Sequence, residues 1–140
     1  MEKPENMKKP LYPHMRKTDE EIWTRYLEKF KNQKTHYIYD MKIGEGHYPP
    51  DEFTPPEQKM VQDLSRLRID VVECTSTETH IIEVTRRVTA RTIGQVLSYL
   101  MLHRLEGLEV LPTRPVIVCE ECNKDFEDIA DGYNIEIVRV

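Results

Sequence analysis

The chain has 140 residues, 39% hydrophobic and 32% charged, which fits one globular domain with a buried core and excludes a disordered polymer. Its formal net charge of −5 argues against a basic, charge-driven nucleic-acid binder. Three cysteines are too few for a disulfide framework, no apolar run reaches the roughly 18 residues of a membrane span, and the Lys- and Pro-rich start lacks the apolar stretch of a signal peptide. These features predict a protein of a reducing, intracellular compartment, neither secreted nor membrane-bound.

Residues 1–17 hold Pro4, Pro10 and Pro13 and no helical period, and read as an extended arm before a domain over 18–140. Such an arm is ordered when a partner holds it, so other protein subunits are its expected partners, within a homo- or hetero-oligomer. Lys8, Lys9, Arg16 and Lys17 are its candidate contacts to phosphates or to a partner, with Met7, Leu11, Tyr12 and Met15 interspersed. Thr18 and Glu21 form the spacing of a capping box that opens a helix to about Asn32, with Ile22, Tyr26, Leu27 and Phe30 as its apolar stripe and Trp23 beside it. A strand over 36–43 stops at Gly44 and Gly46. A loop with Pro49, Pro50, Pro55 and Pro56 leads to a short helix from Pro56 to Leu67.

Strands over 68–74 and 80–86 are joined by Thr75–Glu78 and should pair as a hairpin. Thr89 caps a long helix stopped by Gly107, with Ile93, Val96, Leu97, Leu100 and Leu105 as its apolar face. A buried strand over 115–119, a helix over 124–131 and an alternating strand over 134–140 complete the chain. The expected fold is α/β, with helices flanking a mixed central sheet. Charge is uneven. Residues 1–34 hold nine Lys or Arg against six acids, and residues 120–136 hold seven acids and one Lys.

Asp70 lies between Ile69 and Val71, and Glu83 between Ile82 and Val84. An acid inside an apolar strand is costly unless it is paired, hydrated or bound to metal. On hairpin-paired strands the two carboxylates can converge, and oxygen ligands of this kind suit Mg²⁺ or Mn²⁺. The alternative is that each acid faces solvent from a half-exposed sheet. Arg91, Gln95 and Tyr99 are spaced by four and share one helix face, either flanking those acids or forming a polar stripe.

Asp70, then Glu83-Val84-Thr85, then Gln95-Val-Leu-Ser-Tyr99 resembles the PD-(D/E)xK nuclease superfamily, in the RecB-like branch whose helix carries Gln-x-x-x-Tyr. The resemblance covers about two-thirds of the chain. It implies a restriction-endonuclease-like α-β-β-β-α-β core, with Asp70 and Glu83 as metal ligands and a Mg²⁺- or Mn²⁺-dependent deoxyribonuclease site. The family places Lys where this chain has Thr85. A threonine supplies no cation to the transition state. Arg87 shares the Glu83 face by alternation, whereas Arg86 should point away; Arg91, one turn into the helix, or Arg87 is the candidate replacement. An arginine holds its proton too firmly to act as a base.

The resemblance therefore implies a degenerate nuclease-like protein acting as a structural or interaction component, with no cofactor required. A segment similar to Tyr39-Asp40-Met-Lys-Ile-Gly44 is shared with small tailed-phage proteins and implies a virion setting near the head–tail connector. Two alternatives are a working Mg²⁺-dependent DNA nuclease and a non-cleaving DNA-binding module. Cys119 and Cys122 form a lone Cys-x-x-Cys without the second pair a structural zinc needs, and Cys119 reads as a buried strand end. The five histidines show no ligand spacing.

Overall fold

The computed structural model describes Tyr12, residues 15–47 and residues 51–140. Lys8 and Lys9 of the arm, and Pro49 and Pro50 of the loop, lie outside the described residues. The elements are α1 (Lys17–Phe30), β1 (His36–Ile43), α2 (Pro55–Leu64), β2 (Leu67–Cys74), β3 (Thr79–Arg87), α3 (Ala90–Leu105), β4 (Thr113–Glu121), α4 (Lys124–Gly132) and β5 (Glu136–Arg139). The five strands lie side by side in chain order. β1–β2 and β2–β3 are antiparallel, and β3–β4 and β4–β5 are parallel. Both parallel pairs are joined through a crossover helix, α3 and α4, as a parallel connection requires, while α2 sits in the antiparallel β1–β2 connection.

The alternation of apolar residues in the strands feeds two cores. On one face Ile22, Trp23 and Tyr26 of α1 pack on Val71, Ile82, Val84, Val116 and Val118. On the other, Ile93, Val96, Tyr99 and Leu100 of α3 pack on Val72, Ile81, Ile117 and Cys119, joined by Ala130 of α4. The sheet is thus buried on both faces, as its near-continuous apolar central strands require. Trp23 is fully buried, stacks on Tyr26 at 4.7 Å between ring centres, and donates from Nε1 to Tyr39 Oη at 3.2 Å. Trp23→Ala should cost about 3–5 kcal/mol, read as a lower urea midpoint.

Several boundaries differ from the sequence reading. Thr18 is not the cap of α1. The capping position is Arg16, in extended conformation, whose carbonyl already accepts from Glu20 N at 2.9 Å, and no side chain caps the turn. Asp19 and Glu20 instead set negative charge against the exposed N–H groups of the first turn. Lys17 consequently belongs to the helix and not to the arm. α2 starts at Pro55 because Thr54 and Glu57 form the capping box, and it ends at Leu64 because Leu67 is drawn into β2 opposite Ile43. Leu105 is 77% exposed at the last turn of α3, and Tyr99 and His103 are buried where it was expected. Phe30, at the end of α1, is half exposed.

The connection into α2 is held by backbone contact. Gly46 has φ +79°, and a Cβ there would stand 2.2 Å from the Gln62 carbonyl oxygen, so only glycine lets the loop lie against the end of α2. Ser65 Oγ accepts from His47 N at 2.6 Å, and Arg66 Nε donates to Gly44 O at 2.7 Å.

Candidate functional site

The site begins with a fault in the pleat of β2. Ile69 packs on the α3 face and Val71 on the α1 face, although a regular strand would send both the same way. On the neighbouring strand β1, Asp40 adopts φ 56°, between the Tyr39–Val71 and Met41–Ile69 pairs. Aspartate tolerates this left-handed conformation better than most side chains. Asp40 Oδ2 is tied to Arg68 Nη1 at 2.8 Å. On the other side, the β2–β3 ladder runs from Cys74–Thr79 to Val71–Ile82 and stops there. Beyond that point Asp70 fills the fork between the strands, and its Oδ2 accepts from Val84 N at 2.9 Å.

This kink brings Asp70 and Glu83 together. The two carboxyl groups are close enough for each to act on the ionisation of the other. Glu83 is only 8% exposed, and its Oε2 is buried with no hydrogen-bond partner among the described residues. Burial, and then the charge of Asp70, hold the Glu83 carboxyl far above the usual carboxylate range, while nearby Arg91 opposes the shift. Asp70 is also raised, by burial first and against the pull of the Val84 N–H. Two acids this close and this dry cannot both ionise at neutral pH, so the pair keeps a proton unless a cation replaces it.

Glu83 opens onto a cavity of about 450 Å³ between the starts of α1 and α3. Thr85, Arg91 and Gln95 line it, as their place on β3 and on one face of α3 anticipated. Tyr99 completes the α3 stripe deeper in. It is 5% exposed, and burial together with the charges of Glu83 and Asp70 raises its hydroxyl above the ordinary tyrosine range. Arg87 lines the cavity too, paired with Glu121 at 3.0 Å. Arg86 was expected to point away and instead also lines the cavity. It stands at the end of β3, past its buried stretch, where a long side chain is no longer held to one face.

Arg16 joins the cavity from α1, whereas Lys17 is exposed on the helix and does not line it. Among the described residues, Arg16, Arg86 and Arg91 form no ion pair. Thr85 donates its hydroxyl to Arg87 O at 3.2 Å, so it turns toward its own strand. Among the described residues no lysine lines the cavity.

Sequence reasoning missed Asp19. It lines the cavity from the first turn of α1, its carboxyl pushed up by burial and drawn back by Arg16, and its charge acts on both Asp70 and Glu83. Position 19 carries no periodicity signal, because only the packing of α1 across the sheet brings it there. Asp40 was equally invisible inside a segment of strand composition.

Comparison of the chain with protein-family models, curated proteins and solved structures gives no match. The site's chemistry therefore rests on its own geometry. Among the described residues no group of three or more His, Cys, Asp or Glu is placed to hold a metal ion. The donors present are two adjoining carboxylates, one with an oxygen buried and unpartnered. That set suits Mg²⁺ or Mn²⁺, which keep several waters and accept one or two carboxylates, and does not suit a closed zinc site. Cys119 is fully buried and Cys122 half-buried, and burial raises both thiols, Cys119 to about 11. Neither has the lowered pKa of a reactive cysteine.

Proposed function

We propose that the protein is a nuclease-like, phosphodiester-binding protein of PD-(D/E)xK type whose hydrolytic power is degenerate, and that it acts as a binding component of a larger assembly. The observation that carries this reading is the convergence of Asp70 and Glu83 at the strand fork, with the unpartnered Glu83 Oε2 buried beside a cavity ringed by arginines.

Asp70 and Glu83 would hold Mg²⁺ or Mn²⁺, which supplies charge for a phosphate oxygen and acidifies a bound water. The remaining roles fall to the chain. Val84 N–H fixes the Asp70 carboxylate, so that its orientation does not depend on the ligand. Arg91 and Arg16 offer planar, permanently charged donors to phosphate oxygens. Gln95 stands beside them on the cavity wall as a neutral donor and acceptor. Thr85 leaves the position next to Glu83 without a mobile cation, which limits stabilisation of the pentavalent transition state.

The test incubates the protein with plasmid and single-stranded DNA with and without Mg²⁺ or Mn²⁺, followed by gel shift. The expected result is metal-stimulated, salt-sensitive retention with little cutting, the stimulation lost in Asp70→Ala. Retention indifferent to both metal and Asp70→Ala would overturn it. One observation favours a working nuclease as the second reading. Arg91 lines the cavity and its charge acts on Glu83, so it occupies the neighbourhood of the missing cation. Metal-dependent cutting that disappears in Asp70→Ala would establish that reading instead. A setting in a tailed-phage particle near the head–tail connector is the matching proposal for the assembly, tested by particle mass with and without residues 1–16.

A further inference from the structure

A second acid is buried in β2 on the opposite side from Ile69. Glu73 is 4% exposed. Tyr26 Oη of α1 donates to its two oxygens, at 3.0 and 2.9 Å. From β3, His80 Nδ1 lies 2.6 Å from Glu73 Oε1, while His80 Nε2 lies 2.9 Å from Glu78 Oε1 in the β2–β3 turn. A neutral imidazole has one N–H. With a carboxylate oxygen on each ring nitrogen, only the imidazolium can donate both ways. The neutral ring would set a lone pair against one of the two acids.

The other groups around His80 do not replace it. Arg114 of β4 approaches His80 Nε2 at 3.3 Å, but its guanidinium is bound to Glu78 at 2.9 and 3.0 Å and to Glu136 of β5 at 3.2 Å. Tyr37 of β1 turns its buried hydroxyl toward Glu73, and burial, the charge of Glu73 and hydrogen bonding to it push the hydroxyl up to about 12, so it stays a neutral neighbour. The Cys74 thiol, beside Glu73, is raised by burial and by that charge. Among the described residues His80 is the one cation paired with Glu73.

We propose that His80 is a proton-operated latch: its doubly protonated ring ties Glu73 to Glu78 and so clamps α1, through Tyr26, onto the sheet. Loss of the proton leaves the buried Glu73 carboxylate with no cation, only the neutral hydroxyls of Tyr26 and Tyr37, and α1 loosens. Since Arg16 occupies the capping position of α1 and Asp19 lies in its first turn, the latch also governs how firmly those residues are held at the cavity. The hydrogen bond to Glu73 raises the His80 pKa, against burial and with help from Glu78. The clamp is therefore complete below about 6.5, the ordinary histidine value, and is lost as pH climbs through the raised value.

The test uses the full chain. His80 is titrated by NMR while amide hydrogen exchange of α1 is followed over the same pH range. After correction for intrinsic exchange rates, protection of residues 22–27 should fall by about tenfold or more across the His80 titration, with α4 unchanged, and the step should vanish in His80→Gln. Should that variant fail to fold, Glu78→Gln must move both the titration and the step to lower pH. Protection that is flat across the titration, a step that persists unchanged in His80→Gln, one that stays in place in Glu78→Gln, or a His80 that titrates below the ordinary value would each overturn the latch.

Discussion

Thr85→Lys should convert the protein into a measurably faster metal-dependent nuclease, by about 100-fold or more over the unaltered chain in plasmid nicking with Mg²⁺. That is the order lost when one donor to a developing oxyanion is removed elsewhere. The geometry for the gain is already present. Thr85 is two residues beyond Glu83 on β3 and lines the same cavity. A lysine there extends a mobile ammonium toward the acid pair and the phosphate position, where Arg91 offers a charge but holds its protons too firmly to transfer one. The added cation also favours ionisation of the pair, which prepares it for metal. Adding Asp70→Ala to Thr85→Lys should abolish the activity. If Thr85→Lys folds, binds DNA and gains nothing, the cavity is not a relic of phosphodiester hydrolysis.

Glu83→Gln should make the fold more stable above neutral pH, by roughly 1–3 kcal/mol, while removing the site's function. In the folded chain the Glu83 carboxyl keeps its proton well above 4.5, its ordinary value. Between those two values the folded state binds more protons than the unfolded one, so stability falls as pH rises through that window. The glutamine has no charge to bury, and its profile should be flatter there. Urea denaturation at pH 5 and pH 8 checks this: the two proteins should differ little at the lower pH and clearly at the higher. Equal slopes would mean that Glu83 is not held in a dry, paired site. Stability given up at a carboxylate pair is the expected signature of a site kept for binding.

The helices and strands were legible where local chemistry and packing agree. Thr89 with Thr92 caps α3, Gly107 with φ +70° ends it, and the apolar alternation of β3 and β4 marks them as strands. Asp70 and Glu83 stood out because acids in apolar strands demand a partner. Glu73 carried the same signal between Val72 and Cys74, and applying that argument to it would have exposed the His80 network. What stayed hidden depends on tertiary placement. Asp19 and Arg16 reach the cavity only because α1 crosses the sheet in one register. The fork at Asp70 arises from a backbone kink shared with Asp40, which no residue pattern announces. Arg86 was assigned to the wrong side because alternation was applied beyond the end of regular packing. The start of α1 was misplaced because Thr18 offers a capping side chain that the helix does not use.

The account turns on whether the two acids exchange their shared proton for a cation. Calorimetric titration of the full chain with Mn²⁺ at pH 8, beside Glu83→Gln and Leu105→Ala, an exposed position at the far end of α3, measures this directly. The predicted result is one binding site in the unaltered chain, with proton release, retained in Leu105→Ala and lost in Glu83→Gln. No Mn²⁺ binding in the millimolar range, or equal binding by Glu83→Gln, would contradict it.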